Sequence, residues 1–141
     1  MSTPREIEWP TLAMLALTYA TFALGTLLWP LSGLLAIVVS ALAIAQYSSL
    51  QHEMLHGHPF GNPWLDDALV FPSLTVFVPY LRFKDTHLQH HYDPNLTDPY
   101  DDPESNYMDP KLWEQTSRPM QKILRLNNTL LGRIVLGPAL S

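Results

Sequence analysis

Cysteine is absent from this 141-residue chain. Its absence excludes disulfides, thiolate zinc sites and cysteine-held iron–sulfur clusters. Charge is scarce too: Asp, Glu, Lys and Arg make up 15% of the residues, and the net charge is −5. The eight Lys and Arg residues form no stripe, so nothing points to nucleic acid as a partner. There is no internal repeat and no low-complexity tract. The length suits one domain or part of one. Apolar residues are plentiful, at 47%, yet the mean hydropathy is near zero. They are therefore gathered into blocks, with the 13 prolines clustered in the polar stretches.

Residues 1–10 are polar and carry Arg5, Glu6 and Glu8. They lack the basic start of a secretory signal, and the apolar run behind them is too long for one. Residues 12–29 read instead as a retained transmembrane helix. Its 18 residues reach roughly 27 Å, close to the hydrocarbon thickness of a bilayer. Trp9 and Trp29 flank it as interfacial aromatics do. Pro30 interrupts the run, and the uncharged stretch 31–50 is a second span. A buried hairpin in a soluble core is the alternative, but uncharged stretches of about 20 residues are uncommon there.

Seven of the eight basic residues follow Leu81: Arg82, Lys84, Lys111, Arg118, Lys122, Arg125 and Arg133. The positive-inside rule puts that side in the cytoplasm. Residues 57–63 form a turn-rich break. The apolar stretch 65–81 carries Asp66, Asp67, Pro72 and Pro79, which suits an interfacial or re-entrant segment better than a span. Residues 83–92 read as a short polar helix. Residues 93–110, with six acidic residues and four prolines, read as a solvated acidic loop. An amphipathic, helical pattern follows over 111–126. The chain turns apolar again over 130–141, as if opening a further membrane helix. The expected fold class is all-α: an integral membrane helical hairpin with interfacial or cytoplasmic helices.

Five of the six histidines fall in two clusters. His52 and His56 are i and i+4, so on a helix both leave one face. His87, His90 and His91 are i, i+3 and i+4 and can share another. Neutral imidazole is the commonest protein metal ligand. His58 lies off the first face, between Gly57 and Pro59, and is left out of the candidate set. Two mechanisms compete. The first cluster spells His-Glu-x-x-His, the zinc metalloprotease pattern, with Glu53 as general base. That reading leaves His90 and His91 largely unused. The second reading uses all five histidines for iron, which an all-nitrogen site suits as well as zinc. Glu53 would then orient an imidazole from outside the ligand set. A third reading is a non-catalytic, metal-binding or structural membrane remnant.

His52-x-x-x-His56 followed by His87-x-x-His90-His91 resembles the first two histidine boxes of the membrane fatty acid desaturase superfamily. The stretch Pro79-Tyr80-Leu81-Arg82-Phe83-Lys84-Asp85-Thr86-His87-Leu88-Gln89-His90-His91 is similar to bacterial members. So is Asp93-Pro94-Asn95-Leu96-Thr97-Asp98-Pro99-Tyr100-Asp101-Asp102-Pro103-Glu104-Ser105. The resemblance implies a non-haem di-iron centre at the cytoplasmic face of a bacterial membrane. His52, His56, His87, His90 and His91 would be metal ligands. It implies O2-dependent desaturation or hydroxylation of an acyl or other lipid chain, with electrons from a donor such as ferredoxin. Family members carry a third box after two further spans, whereas this chain has no histidine after His91. The expectation is an N-terminal portion of an incomplete desaturase-like fold. Alone it would be inactive unless a second chain supplies the rest.

Overall fold

In a computed structural model of the protein, residues 6–71, 73–75 and 78–140 are described. Arg5, Pro72 and Ser141, which entered the sequence reading, lie outside them. The described residues form helices and irregular segments, with no strand among them. The chain folds as two compact units, Met1–Lys84 and Asp85–Ser141.

The first unit is built on α1 (Trp9–Leu27) and α2 (Gly33–Leu55), packed against each other as a hairpin. α1 starts earlier than hydropathy suggests because Pro10 fits the first turn, where no backbone N–H is needed. Pro30 lies in the turn between the helices. Ser32 caps α2 by accepting the Leu35 N–H at 3.3 Å. α2 runs past residue 50 to Leu55, its last turn held by buried Gln51, Met54 and Leu55. The uncharged run thus ends before the helix does. Both helices are long and apolar enough to cross a membrane. Leu17, Leu24, Leu34 and Leu42 remain more than half exposed on them. A soluble core would cover such side chains; lipid covers them in a bilayer.

The two helices approach closely at Gly25. A Cβ there would run into the Ser40 hydroxyl and stand 2.9 Å from the Ser40 backbone nitrogen. Small residues at such crossings let backbones meet. Gly25→Leu should push the hairpin apart and lower its stability by about 1–3 kcal/mol, read as an earlier unfolding midpoint in detergent.

A short helix, α3 (Pro63–Leu69), follows the turn after α2. Asn62 caps it, accepting the N–H groups of Trp64 at 3.1 Å and Leu65 at 3.4 Å. Beyond it the chain is irregular, and the hairpin's side chains satisfy its polar groups. The Tyr19 and Tyr47 hydroxyls donate to the carbonyls of Leu69 and Val70, at 2.7 and 2.6 Å. Gln51 donates to the Ser73 hydroxyl at 2.9 Å and accepts from Thr75 at 3.2 Å. Irregular backbone beside apolar helices needs such partners.

The two aspartates of α3 have separate tasks. Asp66 is fully buried and accepts the backbone N–H groups of Phe60 and Asn62, both at 2.9 Å. Asp67 receives the Tyr80 hydroxyl at 2.6 Å and the Lys84 ammonium at 2.7 Å on each oxygen. Burial first, then the hydrogen bond to Asp67, pushes the Tyr80 phenol well above its usual range. Tyr80→Phe should cost about 1–2 kcal/mol, because it takes one donor from the partly buried Asp67 carboxylate and removes a hydroxyl from a buried side chain. A chemical denaturation series on the two proteins measures this.

α4 (Tyr80–Tyr92) begins in the first unit and carries the second histidine cluster within the second. The acidic stretch after it is irregular but knitted together. Asp93 accepts the Asn95 N–H at 2.7 Å, and Asp98 accepts those of Tyr100 and Asp101 at 2.8 and 3.1 Å. Thr97 holds a positive φ of 72°, costly for a β-branched residue. Its N–H goes to Asp102 and its carbonyl accepts from Ser105, both at 2.8 Å.

The stretch with the amphipathic, helical pattern forms two helices, α5 (Pro110–Gln115) and α6 (Arg118–Asn127). Pro119 fits the first turn of α6, where its missing N–H costs nothing, but could not continue α5. Arg125 lies over the Trp113 ring, 5.3 Å from its centre. The last apolar stretch is likewise divided, into α7 (Leu130–Val135) and α8 (Gly137–Leu140).

Candidate metal centre

The first cluster sits at the end of α2. His52 is in the last helical turn and His56 is the residue that caps it. Their rings meet edge to face with centres 4.8 Å apart. A ring nitrogen of one lies within 4.8 Å of a ring nitrogen of the other. Both are partly exposed, while their neighbours Gln51, Met54 and Leu55 are buried. The i, i+4 spacing thus sets the two imidazoles side by side on the face away from the packing. Glu53 is exposed, its carboxylate 3.9 Å from His52 Nδ1, too far for a hydrogen bond.

His58 is engaged elsewhere in the same unit. Its Nδ1 lies 2.7 Å from the Glu8 carboxylate, whose other oxygen accepts the Thr11 hydroxyl at 3.2 Å. The Glu8 N–H donates to the Pro59 carbonyl at 3.3 Å. These bonds tie the turn after the first cluster to the start of α1.

The second cluster sits on α4 in the second unit. His87 and His91 present their Nε2 atoms to each other at 2.9 Å. His90 is on the same helix, its ring centre 6.2 Å from that of His87 and 5.9 Å from that of His91. His87 is nearly buried, and its Nδ1 is 2.9 Å from Glu104 Oε1. The His90 Nδ1 is 2.8 Å from Asp102 Oδ1, and its Nε2 is 4.0 Å from Glu104 Oε2. The hydrogen bond to Asp102 outweighs desolvation and raises the His90 pKa above its ordinary value. Burial works to raise the Asp102 carboxyl. The N–H of Thr97, the His90 ring and the N–H of Glu104 overcome it and hold the group below its usual range.

Asp102 and Glu104 are the residues that sequence reasoning missed. The loop reads as a solvated connector by composition, yet Asp102 is only 5% exposed. A dense acidic loop directly after a histidine cluster was the available signal, since carboxylates commonly orient metal-binding imidazoles.

Chemically, each cluster offers a pair of imidazole nitrogens on one helical turn. Two nitrogens each about 2.1 Å from one ion stand roughly 3.0 Å apart at a right angle and 3.4 Å at the tetrahedral angle. The His87–His91 spacing of 2.9 Å fits the first. Without a metal the same spacing is that of an N–H···N bond between neutral rings.

Membrane-length helices joined to histidine pairs one turn apart are the features of a histidine-box helical membrane protein. The sequence matches the fatty acid desaturase family over residues 24–140, well over half its length, and the chain belongs to that family. Both histidine clusters and the acidic loop fall inside the matched region. No curated protein and no solved structure matches the chain. At the level of the family this is an oxidoreductase associated with lipid substrates and membranes.

Proposed function

We propose that the chain contributes His52, His56, His87, His90 and His91 to a non-haem iron centre that desaturates or hydroxylates an acyl or other lipid chain. The observation that carries this is the His87–His91 pair, with Nε2 atoms 2.9 Å apart and His87 backed by a carboxylate. An all-nitrogen donor set of this kind suits iron as well as zinc. When bound, two irons supply the activation of O2 and the removal of hydrogen from an unactivated C–H bond.

The chain's own residues do the rest. His52 and His56 offer their nitrogens from the end of α2. His87, His90 and His91 offer theirs from α4, with Glu104 and Asp102 accepting the Nδ1 protons of His87 and His90. The reading requires the two clusters to share one centre. It places that centre at the cytoplasmic surface of a bacterial membrane, where the basic residues after Leu81 gather. Two electrons per turnover would come from a ferredoxin-like donor. The peptidase reading gains no support, because the family match runs through both clusters.

Metal analysis of the purified protein tests this. Iron should be retained by the wild type and lost in both His52→Ala and His91→Ala. Loss from either cluster alone is the behaviour of a shared site. Stoichiometric zinc with peptidase activity, or iron that survives His52→Ala, would overturn it.

A further inference from the structure

We propose that Glu104 is a positioning residue for the second histidine cluster. It holds the His87 ring with its proton on Nδ1, so that the Nε2 lone pair is kept toward the metal. The inference rests on the metal reading above.

His87 is 9% exposed, and its Nδ1 lies 2.9 Å from Glu104 Oε1. A carboxylate accepts and does not donate, so the shared proton belongs to Nδ1. Neutral imidazole has one N–H, which leaves Nε2 as the bare acceptor. That atom is the one facing His91 Nε2 at 2.9 Å. The orienting group and the ligand atom are thus on opposite edges of one ring, the arrangement of carboxylate–histidine–metal triads.

Glu104 is itself held. Its backbone N–H donates to Asp102 Oδ1 at 2.9 Å. Asp102 is nearly buried and also takes the Thr97 N–H and the His90 Nδ1. The loop is therefore fastened to α4 at His87 and at His90, one helical turn apart. Pro94, Pro99 and Pro103 restrict the unfolded loop and lower the entropy lost in fixing it. A solvated connector would need neither the buried aspartate nor the left-handed Thr97. A strap that must present one carboxylate at a set distance needs both.

The experiment uses the whole chain in lipid nanodiscs, with 15N-labelled histidine and Co(II) as the probe. In the metal-free wild type, His87 should show a protonated Nδ1 and a bare Nε2. Glu104→Gln keeps an acceptor oxygen and should preserve that tautomer, whereas Glu104→Ala should lose it. Co(II) affinity should fall about 10–100-fold in Glu104→Ala, and Glu104→Gln should recover most of the loss. A wild-type His87 carrying its proton on Nε2 would overturn the positioning role and leave the metal centre standing. Unchanged affinity in Glu104→Ala would do the same. A wild type that takes up no Co(II) would overturn the metal reading, and the purpose assigned to Glu104 with it.

Discussion

Asp66→Ala should destabilise the first unit by about 3 kcal/mol, among the largest effects of any single truncation outside the histidines. The carboxylate is fully buried and accepts the N–H groups of Phe60 and Asn62. Alanine leaves both donors without that acceptor in a place water reaches poorly, and adds a void where the carboxylate stood. The damage should be local first. The turn that follows His56 contains Phe60 and Asn62, so backbone amides there should exchange faster before the hairpin itself loosens. Asp66→Asn keeps one acceptor oxygen and should recover about half of the loss. Equilibrium unfolding in detergent with hydrogen exchange on the three proteins measures both. An alanine variant as stable as the wild type would show that the turn is held by other contacts.

Asp102→Ala should release the acidic loop from α4. Three donors converge on that carboxylate: the N–H groups of Thr97 and Glu104 and the His90 Nδ1. Each bond lost in a nearly buried position is a large local change, and the positive φ of Thr97 relaxes once its N–H is freed. Exchange at the Thr97 and Glu104 amides should speed by about tenfold or more, while the α1–α2 hairpin keeps its protection. Metal binding should weaken as well, since Glu104 loses the anchor that aims it at His87. A variant that alters the exchange of α1 and α2 as strongly as that of the loop would contradict this localisation.

Much of the fold was legible because it follows from long uncharged runs. The α1–α2 hairpin was expected from two apolar stretches around Pro30, and only the helix ends moved. They moved where polar residues continue the helix: Trp9 and Pro10 at the start of α1, and Gln51 to Leu55 at the end of α2. Hydropathy reports what faces lipid, whereas hydrogen bonding and burial decide where a helix stops. The amphipathic pattern over 111–126 falls on two helices because Pro119 opens a new one, a local effect that periodicity alone smooths over.

The candidate site was legible to a different depth. Helical period alone places His52 beside His56 and His87 beside His91, because residues four apart share a face whatever else the chain does. The same reasoning groups His90 with them, but not the Asp102 carboxylate that its Nδ1 meets. Asp66 and Asp67 looked like flaws in an apolar segment, yet one closes a turn and the other receives Tyr80 and Lys84.

The order of amino acids by itself therefore determines the apolar helices, the histidine pairs and the family. Each depends on residues within a turn or on a contiguous run. Which carboxylate meets which imidazole was decided only by the tertiary structure. Glu104 is 17 residues from His87, and Asp102 is 12 from His90. Composition makes such a loop polar, but only its folding back, pinned by a buried aspartate, turns two of its acids toward the histidines.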